Sequence, residues 1–383
     1  MSVVDEVMAM VRRHGPVPVD VVVDRALYAP EVGFYEAGGE AGRRGHFLTS
    51  PEVGPLFGIA VARALDGSWE EMGRPDPFVV VDAGAGRGTL CRSVLAAQPA
   101  CAPALRYVLV ERSRALRRRH RDRLRLEEPA LAFAPVDPET EEPVAEAPTG
   151  PICVSLPELP RVPGPVVVVA NELIDNLPFG LAERRGGAWS EVRVIAADRA
   201  QPNRDRHPLV ECRVPLDVER ATLLDRLAPS APDGARVPLQ DAARRWLSDA
   251  LDLASPGGRV VVLDYASTTA ALAERPADDW LRTYREHTRG GHYLEDLGTQ
   301  DITCEVAVDQ LALVRGATRD RSQAEWLHSL GLDELVAEGR RLWSERAHIG
   351  DLAALTARSR VREAEALTDP AGLGAFRVVE WQV

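Results

Sequence analysis

Two groups of residues in this 383-residue chain have the types and spacing to do chemistry. The first is Asp82, Gly84, Gly86 and Gly88, within FVVVDAGAGRGTL at 78–90. Glycines at i, i+2 and i+4 let the backbone turn tightly and let a ligand approach the main chain with no Cβ in the way. A dinucleotide fingerprint reads G-x-G-x-x-G, but Thr89 stands where its third glycine belongs; a phosphate-cradling P-loop needs a lysine, and the chain has none. An acid two residues before the first glycine, with G-x-G-x-G after it, suits S-adenosylmethionine. That ligand has no pyrophosphate to cradle, and its amino and ribose groups want carboxylates. The second group, Asn171, Glu172 and Asp175, follows an apolar run and gathers two acids and an amide within five positions.

The elements that must position these groups are legible as patterns. The apolar run 78–81 reads as a buried parallel strand and 89–97 as a helix, so strand, glycine loop and helix open a nucleotide-type cofactor unit. A second short strand, 106–110, ends at Glu111, which is placed to accept from both adenosine ribose hydroxyls. Third and fourth strands are expected at 152–155 and 166–170; after the fourth, Pro178 argues against a continuous helix, leaving NELIDNLP on a loop. In open α/β sheets that end of a strand is where ligands bind. A fifth strand at 259–263 ends in Asp264 and Tyr265, which are expected to border the substrate cleft.

Around this core, 1–30 reads as two helices split at Gly15 and Pro16, and the glycine-dense stretch 33–49 as a lid over the site. A helix is expected at 53–65 and a basic one at 112–124. The acidic stretch 127–151 reads as a loop with a short strand near 132–134. Alternation through 181–215 about Gly186 and Gly187 suggests a hairpin, with helices at 218–227 and 239–254. Residues 268–285 read as mostly helical, 301–303 as extended, 307–368 as largely helical, and 375–383 as an edge strand. The fold class expected is α/β: a class I methyltransferase Rossmann-like, doubly wound, mostly parallel sheet, with an N-terminal helical segment and an inserted helical and hairpin substrate region. The corresponding division is 1–60 (helices and lid loop), 61–180 (cofactor-binding core), 181–256 (hairpin and helical insertion) and 257–383 (the rest of the core sheet, with a helical insertion at about 307–368).

A formal charge of −12 argues against a nucleic-acid partner, which leaves a basic footprint. The run Arg117, Arg118, Arg119, His120, Arg121 reads as the solvated face of a surface helix. The absence of lysine excludes Schiff-base chemistry. Five scattered cysteines without CxxC spacing read as reduced thiols, and His46, His287 and His292 lack metal-ligand spacing, so no metal is expected. With no signal peptide or run of eighteen apolar residues, a soluble cytoplasmic protein without membrane insertion is expected.

These motifs coincide with a known family: the chain resembles the MidA-like S-adenosylmethionine-dependent methyltransferases, which include a mitochondrial complex I assembly methyltransferase. GPVPVDVVVDRALYAPEVGFY, GHFLTSPEVGPLFG, VVVDAGAGRGTL, NELIDNLPF, LRTYREHTRGGHYLEDLGTQDIT and GLGAFRVV are each similar to family blocks, nearly end to end. His46 (for aspartate), Ala266 (for glycine) and Leu297 (for proline) depart from the pattern, at the substrate end of the site. The resemblance implies methyl transfer to a protein arginine, with a respiratory-complex subunit as a candidate partner and a homodimer as a candidate assembly. It implies cofactor contacts from Ser50 and Glu52, and from Ala85, Arg112, Ser155, Leu156 and Asn171 beside Asp82, the three glycines and Glu111. Tyr35, Tyr284, Arg285 and Asp301 join Asp264 and Tyr265 as substrate-side candidates. Arginine is protonated in water, and its guanidinium becomes a usable nucleophile only when carboxylates hold it, which gives Glu172, Asp175 and Asn171 the catalytic role. Two alternatives share the cofactor: a small-molecule or peptide methyltransferase of secondary metabolism, and a non-catalytic assembly factor binding S-adenosylmethionine as a structural ligand. A base-amino methylase would carry N/D-P-P-aromatic, whereas Asn171 is followed by Glu172.

Overall fold

The computed structural model describes residues 1–39, 49–133, 148–198, 208–254, 256–285 and 288–383. They form two compact units that alternate along the chain. One comprises Leu48–Glu172, Asp249–Tyr265 and Ala317–Val383; the other comprises Met1–Phe47, Leu173–Ser248 and Ala266–Gly316.

The first unit is built on a seven-stranded sheet: β1 (Phe78–Ala83), β2 (Leu105–Val110), β3 (Ile152–Leu156), β4 (Val166–Asn171), β5 (Arg259–Asp264), β6 (Arg319–Ser322) and β7 (Arg377–Gln382). Its order is β6-β7-β5-β4-β1-β2-β3. From β5 through β3 every pairing is parallel, while β7 runs antiparallel to both β5 and β6. Every residue of β1 and β2 is buried, which is why both read as continuous apolar runs rather than alternating ones. Strand order reverses between β1 and β4, and in register Ala83 lies opposite both Val110 and Ala170, so three strands finish level at that switch point. Helices Pro55–Glu71 and Thr89–Ala96 approach so closely that a Cβ on Gly58 would lie 2.3 Å from Ser93 Cβ.

Several expectations are corrected here. The helix expected from 53 is two, Ser50–Val53 and Pro55–Glu71, because Pro55 cannot continue a helix from Gly54 and starts the next as its first residue. Near 132 the chain forms a helical turn, Pro129–Ala132, again opened by a proline, and not a strand; residues 134–147 lie outside the described residues. The basic helix is shorter than expected, Arg114–His120. The C-terminal strand is not an edge. β6 covers it, and Glu380 is met from β6 by Arg321 at 2.8 Å. β6 also interrupts the helical region expected at 307–368.

The second unit is mainly antiparallel. Gly180–Arg185 and Ala188–Ala196 form the expected hairpin about Gly186 and Gly187, both in left-handed conformations that glycine adopts without strain. Val17–Pro18, Leu209–Pro215 and Arg236–Leu239 complete that sheet. Glu183, 3% exposed, is neutralised within it by Arg213 and Arg236. Residues 268–285 are less helical than expected: after Thr269–Ala273 and Ala277–Trp280, Leu281–Arg285 is a strand paired with Asp301–Cys304. The alternation of LRTYR is the strand period, and its partner across the pair supplies the hydrogen bonds.

Candidate cofactor and catalytic site

The glycine loop leaves β1 pinned to β2. Gly84 N and Ala85 N both donate to Val110 O, at 2.9 and 3.0 Å. Gly86 lies at φ +54°, and a Cβ built on it would meet nothing closer than Gly84 O at 4.0 Å. That space is kept open by the protein and lies over bare main chain, which is what a cofactor needs for close approach. Gly88 serves packing instead: its Cβ would sit 3.0 Å from Leu109 Cδ2 and from Leu124 Cδ1.

Glu111 closes the loop from the end of β2. Its Oε2 accepts from Gly86 N at 3.0 Å and its Oε1 from Ser113 N at 2.8 Å, fixing the carboxylate plane beside the open space. Leu156 O accepts from Glu111 N, holding the ends of β2 and β3 together, whereas Arg112 is exposed. Asp82 is turned into the core and accepts from Tyr107 Oη at 3.1 Å. Burial pushes its pKa up to about 7, the Tyr107 bond lowers it, and the charge of Glu111 raises it.

The sequence reading missed His120. It is wholly buried, with Nε2 2.9 Å from Gly86 O and Nδ1 2.8 Å from Ser155 Oγ. The signal was available: Leu116 and His120 stand at i, i+4 in a helix capped by Ser113, so they share one face, and both are buried while Arg114 and Arg118 are exposed. The solvated-face reading therefore holds for those arginines and fails for the histidine.

At the end of β4, Glu172 adopts φ +52°, a conformation few non-glycine residues hold and one that clusters at functional sites. Its amide donates to Leu263 O on β5, and its Oε1 accepts from Ser50 N at 3.2 Å and Asn171 Nδ2 at 3.1 Å. Burial pushes its pKa up to about 7 against those two bonds; the charge of Glu52 raises it further. Asn171 Oδ1 is buried and has no hydrogen-bond partner in the protein. Ser50 is buried and donates its hydroxyl to Gln323 Oε1 at 2.8 Å. Asp264 and Tyr265 end β5 buried; the tyrosine ring packs on Phe376 with centroids 5.7 Å apart.

The second unit holds the remaining candidates. Asp175 falls there, in a 3-10 turn Ile174–Asn176, and is 5% exposed. Asp301 Oδ1 accepts from Tyr35 Oη at 3.0 Å and from Asn176 Nδ2 at 3.1 Å. Burial raises its pKa to about 6 against these bonds, and burial also holds the Tyr35 phenol well above its usual range. Tyr284 pairs in register with Asp301 and is raised by burial as well. Arg285 directs its guanidinium to Asp296 at 2.6 Å in an exposed pair. Ala266 forms a short parallel bridge with Val306, and Leu297 is buried. His46, His287 and most of the expected lid, 40–48, lie outside the described residues. Among the described residues no group of three His, Cys, Asp or Glu could hold a metal, and no helix is long and apolar enough to cross a membrane.

A parallel sheet in this order, with a glycine loop after β1 and an acid after β2, is a class I methyltransferase fold, and S-adenosylmethionine is the cofactor it serves. Residues 60–325 match the model of a family described as "Putative S-adenosyl-L-methionine-dependent methyltransferase"; the chain belongs to that family and is a methyltransferase. A crystal structure from Burkholderia thailandensis holding S-adenosyl-homocysteine superposes with TM-score 0.78 at 25% identity, over 100% of this chain and 92% of that one. A Drosophila melanogaster protein, named as the mitochondrial protein arginine methyltransferase NDUFAF7 homolog, is 28% identical over 97% of this chain and 83% of its own length. The Rattus norvegicus mitochondrial protein arginine methyltransferase NDUFAF7 is 26% identical over 85% and 73%. These bear out the MidA-like resemblance. They also overturn the expected cytoplasmic location, since these relatives are named as mitochondrial proteins.

Proposed function

We propose that the protein methylates an arginine side chain of a protein substrate, and that Glu172, oriented by Ser50 and Asn171, holds the acceptor guanidinium and takes its proton. The relatives named as protein arginine methyltransferases support the acceptor class. The observation that carries the residue assignment is Glu172 itself: a carboxyl on left-handed backbone at the end of β4, two donors fixing one oxygen, its pKa pushed up to about 7. S-adenosylmethionine, when bound, supplies an electrophilic methyl group on a sulfonium. A guanidinium is a poor nucleophile while its charge is delocalised over three nitrogens. Its approach would ionise Glu172 by charge attraction, and that carboxylate would localise the charge on the nitrogens it holds. After transfer, a base whose pKa stands near neutrality accepts the released proton better than an ordinary glutamate would. Asn171 Oδ1, buried and unpaired, offers an acceptor to a further N–H.

Labelled-methyl transfer into lysate proteins, with amino-acid analysis of the product, tests this. Methylarginine is expected, together with a loss of rate of about 100-fold or more in Glu172→Gln at near-unchanged S-adenosyl-homocysteine affinity. Label on another residue, or only in small molecules, would overturn the acceptor class; an undiminished rate in the variant would overturn the role of Glu172. The family resemblance makes a respiratory-complex subunit the first substrate to try. Neither the described residues nor the relatives support the expected homodimer.

A further inference from the structure

The two polar groups of the Gly86 peptide unit are both held by buried side chains. Its N–H donates to Glu111 at 3.0 Å, and its carbonyl faces His120 Nε2 at 2.9 Å. A carbonyl only accepts, so Nε2 must carry the proton. In a neutral imidazole Nδ1 then accepts, and Ser155 Oγ at 2.8 Å is the donor. One tautomer satisfies both contacts, and burial, which disfavours the imidazolium, keeps the ring in it; the neighbouring Arg117 acts in the same direction. The ring also lies against the loop: a Cβ on Gly88 would be 3.6 Å from His120 Cδ2.

His120 thus ties together two strand ends that contribute to the cofactor site: the loop after β1, at Gly86, and the end of β3, at Ser155. Glu111 ties the same glycine to the end of β2. Gly86 needs this because it stands at φ +54° with open space beside it, so no packed side chain holds it from the ligand side.

We infer that His120 is a positioning residue for the cofactor, setting the Gly86 main chain, and through it the Glu111 carboxylate, in the geometry that binds S-adenosylmethionine. It touches no reacting atom. Its effect is on affinity for the adenosyl ligand and not on the chemical step.

The inference rests on the cofactor and not on the acceptor, so it survives if the substrate proves to be something other than arginine. It predicts an ordering among isosteres, because the two ring nitrogens have different duties. A glutamine amide reaches about as far as Nε2 and can still donate to Gly86 O. An asparagine amide ends near Nδ1 and serves only Ser155. Leucine serves neither.

The experiment is calorimetric titration of S-adenosyl-homocysteine into the full chain and its His120→Gln, His120→Asn and His120→Leu variants, each checked for fold by circular dichroism. Loss of the buried bond to Gly86 O should weaken binding by about tenfold in His120→Asn and at least as much in His120→Leu, which also loses Ser155, with His120→Gln near wild type. With any acceptor in hand, the asparagine and leucine variants should raise KM for S-adenosylmethionine and leave kcat within about twofold, with the glutamine variant near wild type in both. A folded His120→Leu that binds as tightly as wild type would overturn the inference. So would an asparagine variant that binds better than the glutamine one, since only Nε2 is assigned to Gly86. If the leucine variant does not fold, the glutamine and asparagine pair decides by the same ordering.

Discussion

Replacing Glu172 by glutamine should make the protein more stable and less active, and the first half of that statement can be worked from the structure. Burial moves the carboxyl from its ordinary value of 4.5 up to about 7. A carboxylate raised in the fold opposes folding when ionised. The cost is absent below pH 4.5, grows as pH rises through the window to 7, and is fully present above it. A span of about two and a half pH units at ~1.4 kcal/mol each sets a ceiling of ~3 kcal/mol. Glutamine retains an oxygen for Ser50 N and Asn171 Nδ2, and it inherits the same backbone strain, so little else changes. Glu172→Gln should therefore gain ~1–3 kcal/mol over wild type at pH 8.5 and nothing near pH 4.5. Urea melts of both proteins at both pH values measure this. Asp82 and Asp301 titrate in the same range, so the comparison is of variant with wild type at each pH, not across pH. A variant less stable than wild type at pH 8.5, or a difference that does not change with pH, would refute the reasoning: Glu172 would then be an ordinary structural acid.

The two glycines of the loop should separate binding from packing. Gly86→Ala places a methyl in open space at a positive φ, so it should cost about 1–2 kcal/mol of stability yet weaken S-adenosyl-homocysteine binding more than tenfold; Gly88→Ala adds a 3.0 Å collision with two leucines and should lose more stability in a thermal melt than Gly86→Ala does. Equal melts and equal affinities would sink the distinction. Glu111→Gln keeps one of the two charge-assisted backbone bonds, as a neutral one, and sets its amide NH2 against the other backbone N–H donor. Calorimetry should show affinity down by about 10- to 100-fold, and an unchanged Kd would remove Glu111 from the cofactor site.

Residues 78–111 were nearly complete on the page. The two buried strands, the glycine spacing and the acids at 82 and 111 all depend on neighbours in sequence, and the fold placed the strands within a residue or two of expectation. Glu172 was legible as a polar residue ending a buried strand. Neither its left-handed backbone nor its elevated pKa was, because both depend on the fold around it: its amide is held by Leu263 O, and burial, with the charge of Glu52, raises the carboxyl. The terminal strand shows the same limit. Its alternation marked a strand but not its place in the sheet, where it is buried between β5 and β6.

What the sequence determined alone, then, is the chemistry of short segments: strand periods, helix stops at prolines and glycines, and the choice of S-adenosylmethionine over a phosphate-bearing ligand. What only the tertiary structure decided is which side chains meet. His120 looked like one more charge in an arginine run until folding put its ring between Gly86 and Ser155, 34 and 35 residues away. Helix periodicity can say that a residue faces inward, but its partners there are set by strands paired through long-range hydrogen bonds. No local pattern records that pairing.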